Sequence, residues 1–282
     1  SGTYITAFGE YTRNGVQNIF QARITPSGGI DQTWGLNGFR FFDSDHDQSL
    51  DAVARDGDSY MLAGTQFDNS GLDSFTMKVD KNGLDKNYGE NGVSIILIPN
   101  SSEMSTDIIT REGSSYLLVN SDKSGEWDSL IIKIDESGNL DSTFGDDGIA
   151  RADYKNDFNF GIKLLDVDDG LVITGHTYYS ADETPLLSKF DYSGSIDPSF
   201  GDHGLLLIPN IAESSIVADA KYDGEIVLAS SAMFAFPTNQ GFGDVFQEYS
   251  RRPAIYSITK DGRILSSQAM STAESNKYLT SL

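Results

Sequence analysis

The sequence has no cysteine, no long apolar run and few basic residues. Without cysteine it forms no disulfide framework, no cysteine-based zinc site and no cysteine nucleophile. No apolar stretch approaches the ~18 residues that a membrane-spanning helix needs, so we expect no membrane insertion. Only 20 lysine and arginine residues stand against 42 aspartate and glutamate residues, giving a formal net charge of −22. Because phosphate contacts need basic side chains, we expect no nucleic-acid partner.

An internal repeat organises the 282 residues. Four segments share the order apolar, Asp, two residues, aromatic, Gly, two residues, Gly. Their Asp residues are separated by 54, 56 and 56 positions. The Asp, aromatic and first Gly positions are Asp31, Trp34 and Gly35; Asp85, Tyr88 and Gly89; Asp141, Phe144 and Gly145; and Asp197, Phe200 and Gly201. A fifth copy near 261–264 lacks the aromatic residue and both later glycines.

The segments between the motifs predict strands. Each motif follows a segment of alternating apolar residues, the period-two signal of a half-buried strand. A basic residue holds one position in these segments: Arg23, Lys78, Lys133 and Lys189. Further short apolar segments predict four strands per unit, and no helical period is evident. Four short strands repeated every ~55 residues are typical of a β-propeller.

We therefore predict an all-β fold, a five-bladed β-propeller of four-stranded antiparallel blades. The prediction treats 1–282 as one domain and the protein as a monomer. The chain starts in the second strand of a blade and ends in a segment that fits a first strand. We expect residues 275–282 to complete the first blade, because ring closure removes exposed strand edges. A fragment of a longer repeat array is the alternative.

The four motif units, each preceded by a strand and an Asn/Ser-Gly turn, resemble the delta-60 repeat family of bacterial β-propellers. The resemblance covers nearly the whole chain, although the fifth unit departs from the pattern. It implies a secreted, periplasmic or cell-surface bacterial protein and carries over no catalytic residues. Ser1-Gly2-Thr3 opens the sequence without Met or an apolar leader, which we interpret as a processed or trimmed chain.

The motif itself favours a structural role over a ligand-binding one. Glycine supplies the positive φ of tight turns. The aspartate can accept the backbone N–H two residues on. The aromatic ring is expected to wedge between neighbouring blades and bury ~150–250 Å². Candidate binding residues are therefore sought in segments that do not repeat, since variable insertions in repeat proteins often form the binding face.

The first such segment is acidic. Carboxylates at relative positions 1, 3, 5 and 9 follow the spacing of a calcium-binding loop, in which hard oxygen ligands surround the ion. These residues are Asp43, Asp45, Asp47 and Asp51. However, Gln48 and Ala54 stand where an EF-hand loop needs Gly and Glu. A calcium site and a solvated acidic loop are both kept as hypotheses.

The second segment is an aromatic insert at 233–252 in the last unit, predicted to be a long loop between two strands. In one interpretation this loop binds a ligand, and its candidate binding residues are Phe236, Phe242, Phe246 and Arg251. In the other, its aromatic side chains only cover the ring of blades. Trp127 lies between two acidic residues, and Tyr178 and Tyr179 lie at a similar connection. Aromatic faces beside carboxylates suit the binding of sugar rings. The alternative is that Trp127 stands at the start of a strand and only shields the edge of its blade.

No catalytic motif is present. The three histidines are His46, His176 and His203, and none belongs to a nucleophile elbow or a zinc-protease motif. The leading hypothesis is a non-catalytic binding or interaction module whose ligand is a glycan or a protein. A glycoside hydrolase-like enzyme that uses carboxylates near the propeller axis is one alternative. A structural spacer without a ligand is the other.

Overall fold

A computed structural model describes residues 3–68, 71–123, 126–152, 154, 158–179, 182–208, 214–239 and 245–269. For residues 123, 126, 179, 182, 214, 232–239 and 245–251 it describes the backbone alone. Regular structure within these ranges is β-strand throughout.

The strands form five antiparallel sheets that follow one another along the chain. The first contains β1 (Ile5–Arg13), β2 (Val16–Ile24) and β3 (Phe39–Phe42). The second contains β4 (Asp47–Asp56), β5 (Ser59–Phe67), β6 (Leu72–Asp80), β7 (Gly83–Leu84) and β8 (Val93–Ile96). The third contains β9 (Ser102–Arg111), β10 (Ser114–Lys123), β11 (Glu126–Ile134) and β12 (Ile149–Ala152). The fourth contains β13 (Asn159–Val167), β14 (Gly170–Tyr179), β15 (Asp182–Phe190) and β16 (Leu205–Leu207). The fifth contains β17 (Ser214–Tyr222), β18 (Ile226–Asn239), β19 (Val245–Ile258) and β20 (Ile264–Ala269).

This arrangement confirms the predicted all-β, five-bladed propeller fold. Blades two to five each run from a first strand, which we call the inner strand by its place in the strand order, through two long strands to a short last strand. The first blade has three strands among the described residues. Its predicted fourth strand, at 275–282, lies outside the described residues.

Two compact units make up the chain. One comprises Ser1–Ser115 and Ile134–Asn139, and the other comprises Tyr116–Lys133 and Leu140–Leu282. The core of the first unit contains Ile19, Phe42, Leu62, Phe75, Met77 and Val79. The core of the second unit includes Leu165, Val172, Leu187, Phe200, Leu228 and Tyr256. In both units the alternating apolar residues of the strands supply these cores, as their period-two pattern requires.

The repeat motif forms a backbone hydrogen bond to the turn of the following repeat. In three of the four motifs the N–H of the first motif glycine donates to a carbonyl of that turn, and we call this bond the clasp. The clasps join Gly89 to Ser137, Gly145 to Ser193 and Gly201 to Asp261, at 2.7, 2.7 and 3.2 Å. The preceding aromatic residues Tyr88, Phe144 and Phe200 are at most 1% exposed. Within each unit the motif therefore packs against the next repeat.

The motif aspartates shape the turn before the clasp. Each accepts the backbone N–H two residues on, as the sequence predicts: Thr33 to Asp31, Asn87 to Asp85, Thr143 to Asp141 and Ser199 to Asp197. Three also pair with the basic residue of the preceding strand: Arg23 with Asp31, Lys133 with Asp141 and Lys189 with Asp197. Hydrogen bonds from Lys133 and Thr143 lower the pKa of Asp141 to about 2. Both features assign these aspartates to the fold.

A glycine substitution tests the clasp. Gly194 has φ +84°, and an added Cβ would lie 2.6 Å from the nitrogen of Gly145. Gly28 occupies the same turn position with φ +88°, but nothing lies within 4 Å of an added Cβ there. We expect Gly28→Ala to cost about 1 kcal/mol through backbone strain. Gly194→Ala should cost about 1–3 kcal/mol more because it also opens the clasp. Denaturant unfolding measures both, and equal losses would contradict the packing argument.

The predicted closing strand is tested by truncation. Deleting 275–282 should leave an edge of the first blade unpaired, lower the melting temperature by several degrees and promote aggregation. Replacing the same eight residues by a Gly/Ser sequence of equal length controls for chain length. Light scattering and a thermal melt give the readout. A monomeric truncated protein with an unchanged melt would show that these residues close no blade.

Candidate functional site

Four aromatic side chains cluster in the second unit, at the ends of β11, β13 and β14. The ring centroid of Trp127 lies 6.4 Å from that of Phe158 and 6.1 Å from that of Phe160. Phe158 stacks on Phe160 at 6.1 Å and meets the edge of Tyr178 at 5.2 Å. We call these four residues the aromatic patch. It brings Trp127 and Tyr178, two of the predicted ligand-binding residues, into one cluster.

Strand pairing fixes the patch in place. β13 and β14 are antiparallel, with Phe160 opposite His176. The Tyr178 N–H donates to the Phe158 carbonyl at 3.2 Å, which continues the pairing beyond the start of β13. Rings on directly opposed strand positions contact each other because their Cβ atoms lie ~5 Å apart. The patch is thus built on strand ends, which hold side chains more rigidly than free loops do.

A carboxylate group borders the aromatic patch. The Tyr178 hydroxyl donates to Glu183 Oε1 at 3.1 Å, and the charge of Glu183 raises the pKa of Tyr178. Asp128 forms an ion pair with Arg151, but because it follows Trp127 directly in β11, its side chain lies on the opposite face of the strand. Tyr178 is 43% exposed, and Trp127 and Phe158 are half-buried. The site therefore offers partly exposed ring faces with the carboxylate of Glu183 as a hydrogen-bond acceptor at its border.

His176 packs under the patch as a neutral side chain. Its ring stacks on Phe160 at 5.8 Å with an interplanar angle of 30°. Burial lowers the pKa of His176, so the imidazole is uncharged at neutral pH. Its Nδ1 is buried and has no partner within the described residues. This environment suits a packing residue better than a proton donor.

Phe158 and Phe160 are patch residues that the sequence analysis missed. They lie on either side of Asn159, at the start of an inner strand. Their alternation is the same period-two signal that marks ordinary strands. A search for aromatic residues at equivalent ends of the inner strands would have found them, because β4, β9 and β17 carry no aromatic residue there.

The aromatic insert forms part of a hairpin, whereas a loop was predicted. β18 and β19 run on through it, and their pairing extends from Ile226 opposite Ile258 to Asn239 opposite Val245. Alternating aromatic residues favour this extended backbone. Phe236, Phe246, Arg251 and Tyr179 lie in strands where only the backbone is described, and Phe242 lies outside the described residues.

The acidic segment begins with a carboxylate that is already paired. Arg13 Nη1 donates to Asp43 Oδ2 at 2.9 Å. The Tyr11 hydroxyl also donates to Asp43. Burial and this bond raise the pKa of Tyr11 to about 12. A guanidinium in direct contact with Asp43 opposes a second cation at the same carboxylate.

The remaining carboxylates of the segment point to different partners. Asp47 accepts the Gln17 N–H at 2.7 Å, and Asp51 accepts the Thr65 hydroxyl at 2.7 Å. Burial raises the pKa of Asp51. Among the described residues, no group of three or more His, Cys, Asp or Glu side chains is placed to hold a metal ion. The structure therefore does not gather Asp43, Asp45, Asp47 and Asp51 around one point, and calcium binding stays a hypothesis from the sequence.

One carboxyl group in the first unit is fully buried. Glu103, near the start of β9, is 0% exposed, and Ser101 donates to its Oε1. Burial raises the pKa of Glu103, and the charge of Asp73 raises it further. Raised carboxyl pKa values also occur in catalytic acids. If the protein were a hydrolase, Glu103 and Asp73 would therefore be the candidate catalytic carboxyl groups.

Several solved structures align with this chain at low similarity. A native arabinanase from Bacillus subtilis aligns with a TM-score of 0.39 and 15% identity, covering 79% of this chain and 80% of its own. A GH43 endo-arabinanase from Bacillus licheniformis gives the same TM-score and identity, with 79% coverage of each chain. Sucrose-6-phosphate hydrolase from Lactobacillus gasseri gives 0.40 and 14%, covering 90% of this chain and 58% of its own. At these scores the alignments give no information on activity.

No protein-family description and no curated protein matches the sequence. Within the described residues, no helix has the length and apolarity needed to cross a membrane.

Proposed function

We propose that this protein is a non-catalytic binding module that recognises carbohydrate through the aromatic patch. The observation that carries the proposal is the contact of Trp127, Phe158 and Tyr178 in one partly exposed cluster. Sugar rings present apolar C–H faces that pack on aromatic rings, and hydroxyl groups that bond to acids at the border. The patch offers both kinds of contact within one unit.

Charge favours a neutral ligand. The chain carries a net charge of −22, which repels anionic partners over several ångströms. Glu183 adds local negative charge beside the Tyr178 ring. A neutral glycan meets no such repulsion. A protein partner with an exposed apolar segment remains the second ligand class for the same surface.

Burial favours binding over catalysis. A catalytic acid must reach the oxygen that it protonates, within about 3 Å. Glu103 has no exposed surface, and the half-buried His176 has a lowered pKa that keeps it neutral. The wider assignment to a secreted or surface protein of the delta-60 type rests on the repeat pattern and belongs to the same proposal.

Truncating the patch should abolish glycan binding. We expect Tyr178→Ala to weaken binding to a neutral oligosaccharide by about tenfold or more, because a stacked ring at a binding hot spot contributes more than 1 kcal/mol. Trp127→Ala should have a similar effect. Tyr178→Phe keeps the ring and loses the bond to Glu183, so it separates stacking from hydrogen bonding. A glycan array identifies the probe, and isothermal titration measures the affinities.

Tyr4→Ala is the matched control, since Tyr4 is an aromatic residue that is 51% exposed and lies outside the patch. Thermal melts confirm that each variant is folded. Binding that is lost equally in the Tyr4 variant, or retained by both patch variants, would refute a role for the patch.

The hydrolase alternative makes a separate prediction. If Glu103 and Asp73 were catalytic, polysaccharide hydrolysis should be measurable and Glu103→Gln should abolish it. We expect no hydrolysis above background in the wild-type protein, because Glu103 has no contact with solvent. Reducing-sugar release from a panel of plant and bacterial polysaccharides gives the readout. Turnover that is lost in Glu103→Gln but kept in Glu183→Gln would replace the binding proposal with an enzymatic one.

A further inference from the structure

A polar cleft opens in the first unit, far in sequence from the aromatic patch. It has a volume of about 490 Å³ and lies between the turn joining β1 to β2 and the segment joining β3 to β4. Small-molecule sites typically measure ~300–1,000 Å³. We call it the hairpin cleft. Its lining includes Arg13, Asn14, Asn18, Asp43, Ser44 and Asp45.

The walls of the hairpin cleft are held in place before any ligand arrives. The turn residues Asn14 and Gly15 have φ values of +55° and +85°, as a tight two-residue hairpin turn requires. The Ser44 N–H donates to Asn18 Oδ1 at 2.6 Å, and Arg13 bonds Asp43 at 2.9 Å. These bonds tie the acidic segment to the hairpin. A preformed cleft loses less entropy when a ligand binds.

Several polar groups of the cleft are not used by the fold. Asp45 is exposed, and no partner of its carboxylate is seen in the described part of the chain. Asn14 is exposed as well. The Arg13 side chain is 59% exposed, and its contact with Asp43 runs through Nη1. The cleft therefore presents one free carboxylate acceptor beside amide and guanidinium donors.

The chemistry of the cleft excludes three ligand classes. A metal cation would meet the Arg13 guanidinium, and the described residues contain no metal-ligand cluster. An anion would meet Asp43 and Asp45 in a strongly acidic protein. An apolar ligand would find a lining that is polar apart from Val16. A neutral ligand rich in hydroxyl groups fits, because each hydroxyl can donate to a carboxylate and accept from an amide or guanidinium.

We infer that the hairpin cleft is a second saccharide site, in which Asp45 accepts and Asn14 and Arg13 donate hydrogen bonds to sugar hydroxyls. The inference rests on the proposed glycan-binding function and adds a subsite that recognises sugar through hydrogen bonds instead of stacking.

The experiment uses the full chain carrying Trp127→Ala, which disables the aromatic patch. A neutral oligosaccharide that binds this variant on an array is titrated calorimetrically. Adding Asp45→Asn should weaken its binding by about tenfold, since a hydrogen bond to a charged carboxylate is stronger than one to a neutral amide. Asn14→Gly should weaken it as well, because glycine keeps the positive φ of the turn and removes the amide. Asp58→Asn, at an exposed turn of the same unit, should change nothing.

The outcomes separate the two sites. Residual binding that falls with Asp45→Asn and Asn14→Gly supports the hairpin cleft. If no saccharide binds the Trp127→Ala protein while the wild type binds, the inference is overturned and the patch stands alone. The inference is also overturned if neither Asp45→Asn nor Asn14→Gly changes the residual binding, or if a chelator abolishes that binding. If the wild type binds no saccharide, both proposals fail. Tyr178→Ala replaces Trp127→Ala should the latter not fold.

Discussion

The clasp between the motif glycine and the turn of the next repeat is the contact on which the rest of the fold depends. A single blade cannot bury both of its faces, so each needs a neighbour held at a fixed distance. A backbone hydrogen bond such as that of Gly145 to Ser193 sets this distance, and the buried ring of Phe144 fills the space beneath it. Both segments that meet at the clasp need glycine. A Cβ on Gly194 would lie 2.6 Å from the Gly145 nitrogen, and a Cβ on Gly145 would lie 2.2 Å from the Ile149 carbonyl oxygen. The motif therefore repeats for reasons of packing.

The structural role of the motif explains where in the fold a binding site can arise. Motif residues such as Asp141 and Asp197 are held by their own turns and by lysines, so they are not available to a ligand. The strand ends on the side opposite the motif take no part in the clasp, and their residues differ from blade to blade. Both the aromatic patch and the hairpin cleft occupy strand ends and connections of this kind. Each is supported by antiparallel pairing, which gives a binding surface the rigidity of the sheet.

Sequence periodicity predicted the blades well because strand alternation and turn chemistry are local properties. The five sheets, their order and the aspartate turns follow from residues close together in the chain. The sites were harder to predict, since their contacts join distant residues. Asp43 looked like a calcium ligand from its spacing, whereas Arg13, thirty positions earlier, is its partner. Trp127 was a candidate by itself, yet its contacts with Phe158 and Phe160 depend on which strand ends the fold brings together.

The first repeat shows what happens where the clasp is missing. The spacing from Asp31 to Asp85 is 54 residues, two fewer than in the later repeats, and the turn after β6 accounts for one of the two missing residues. Among the described residues Gly35 has no clasp, and Trp34 stays half-buried while its three counterparts are fully buried. Arg40 stacks on the Trp34 ring at 4.2 Å and donates to the Asp80 carbonyl at 3.4 Å. A cation–π contact between Arg40 and Trp34 is thus found in the first repeat where the later repeats have a fully buried ring and a clasp.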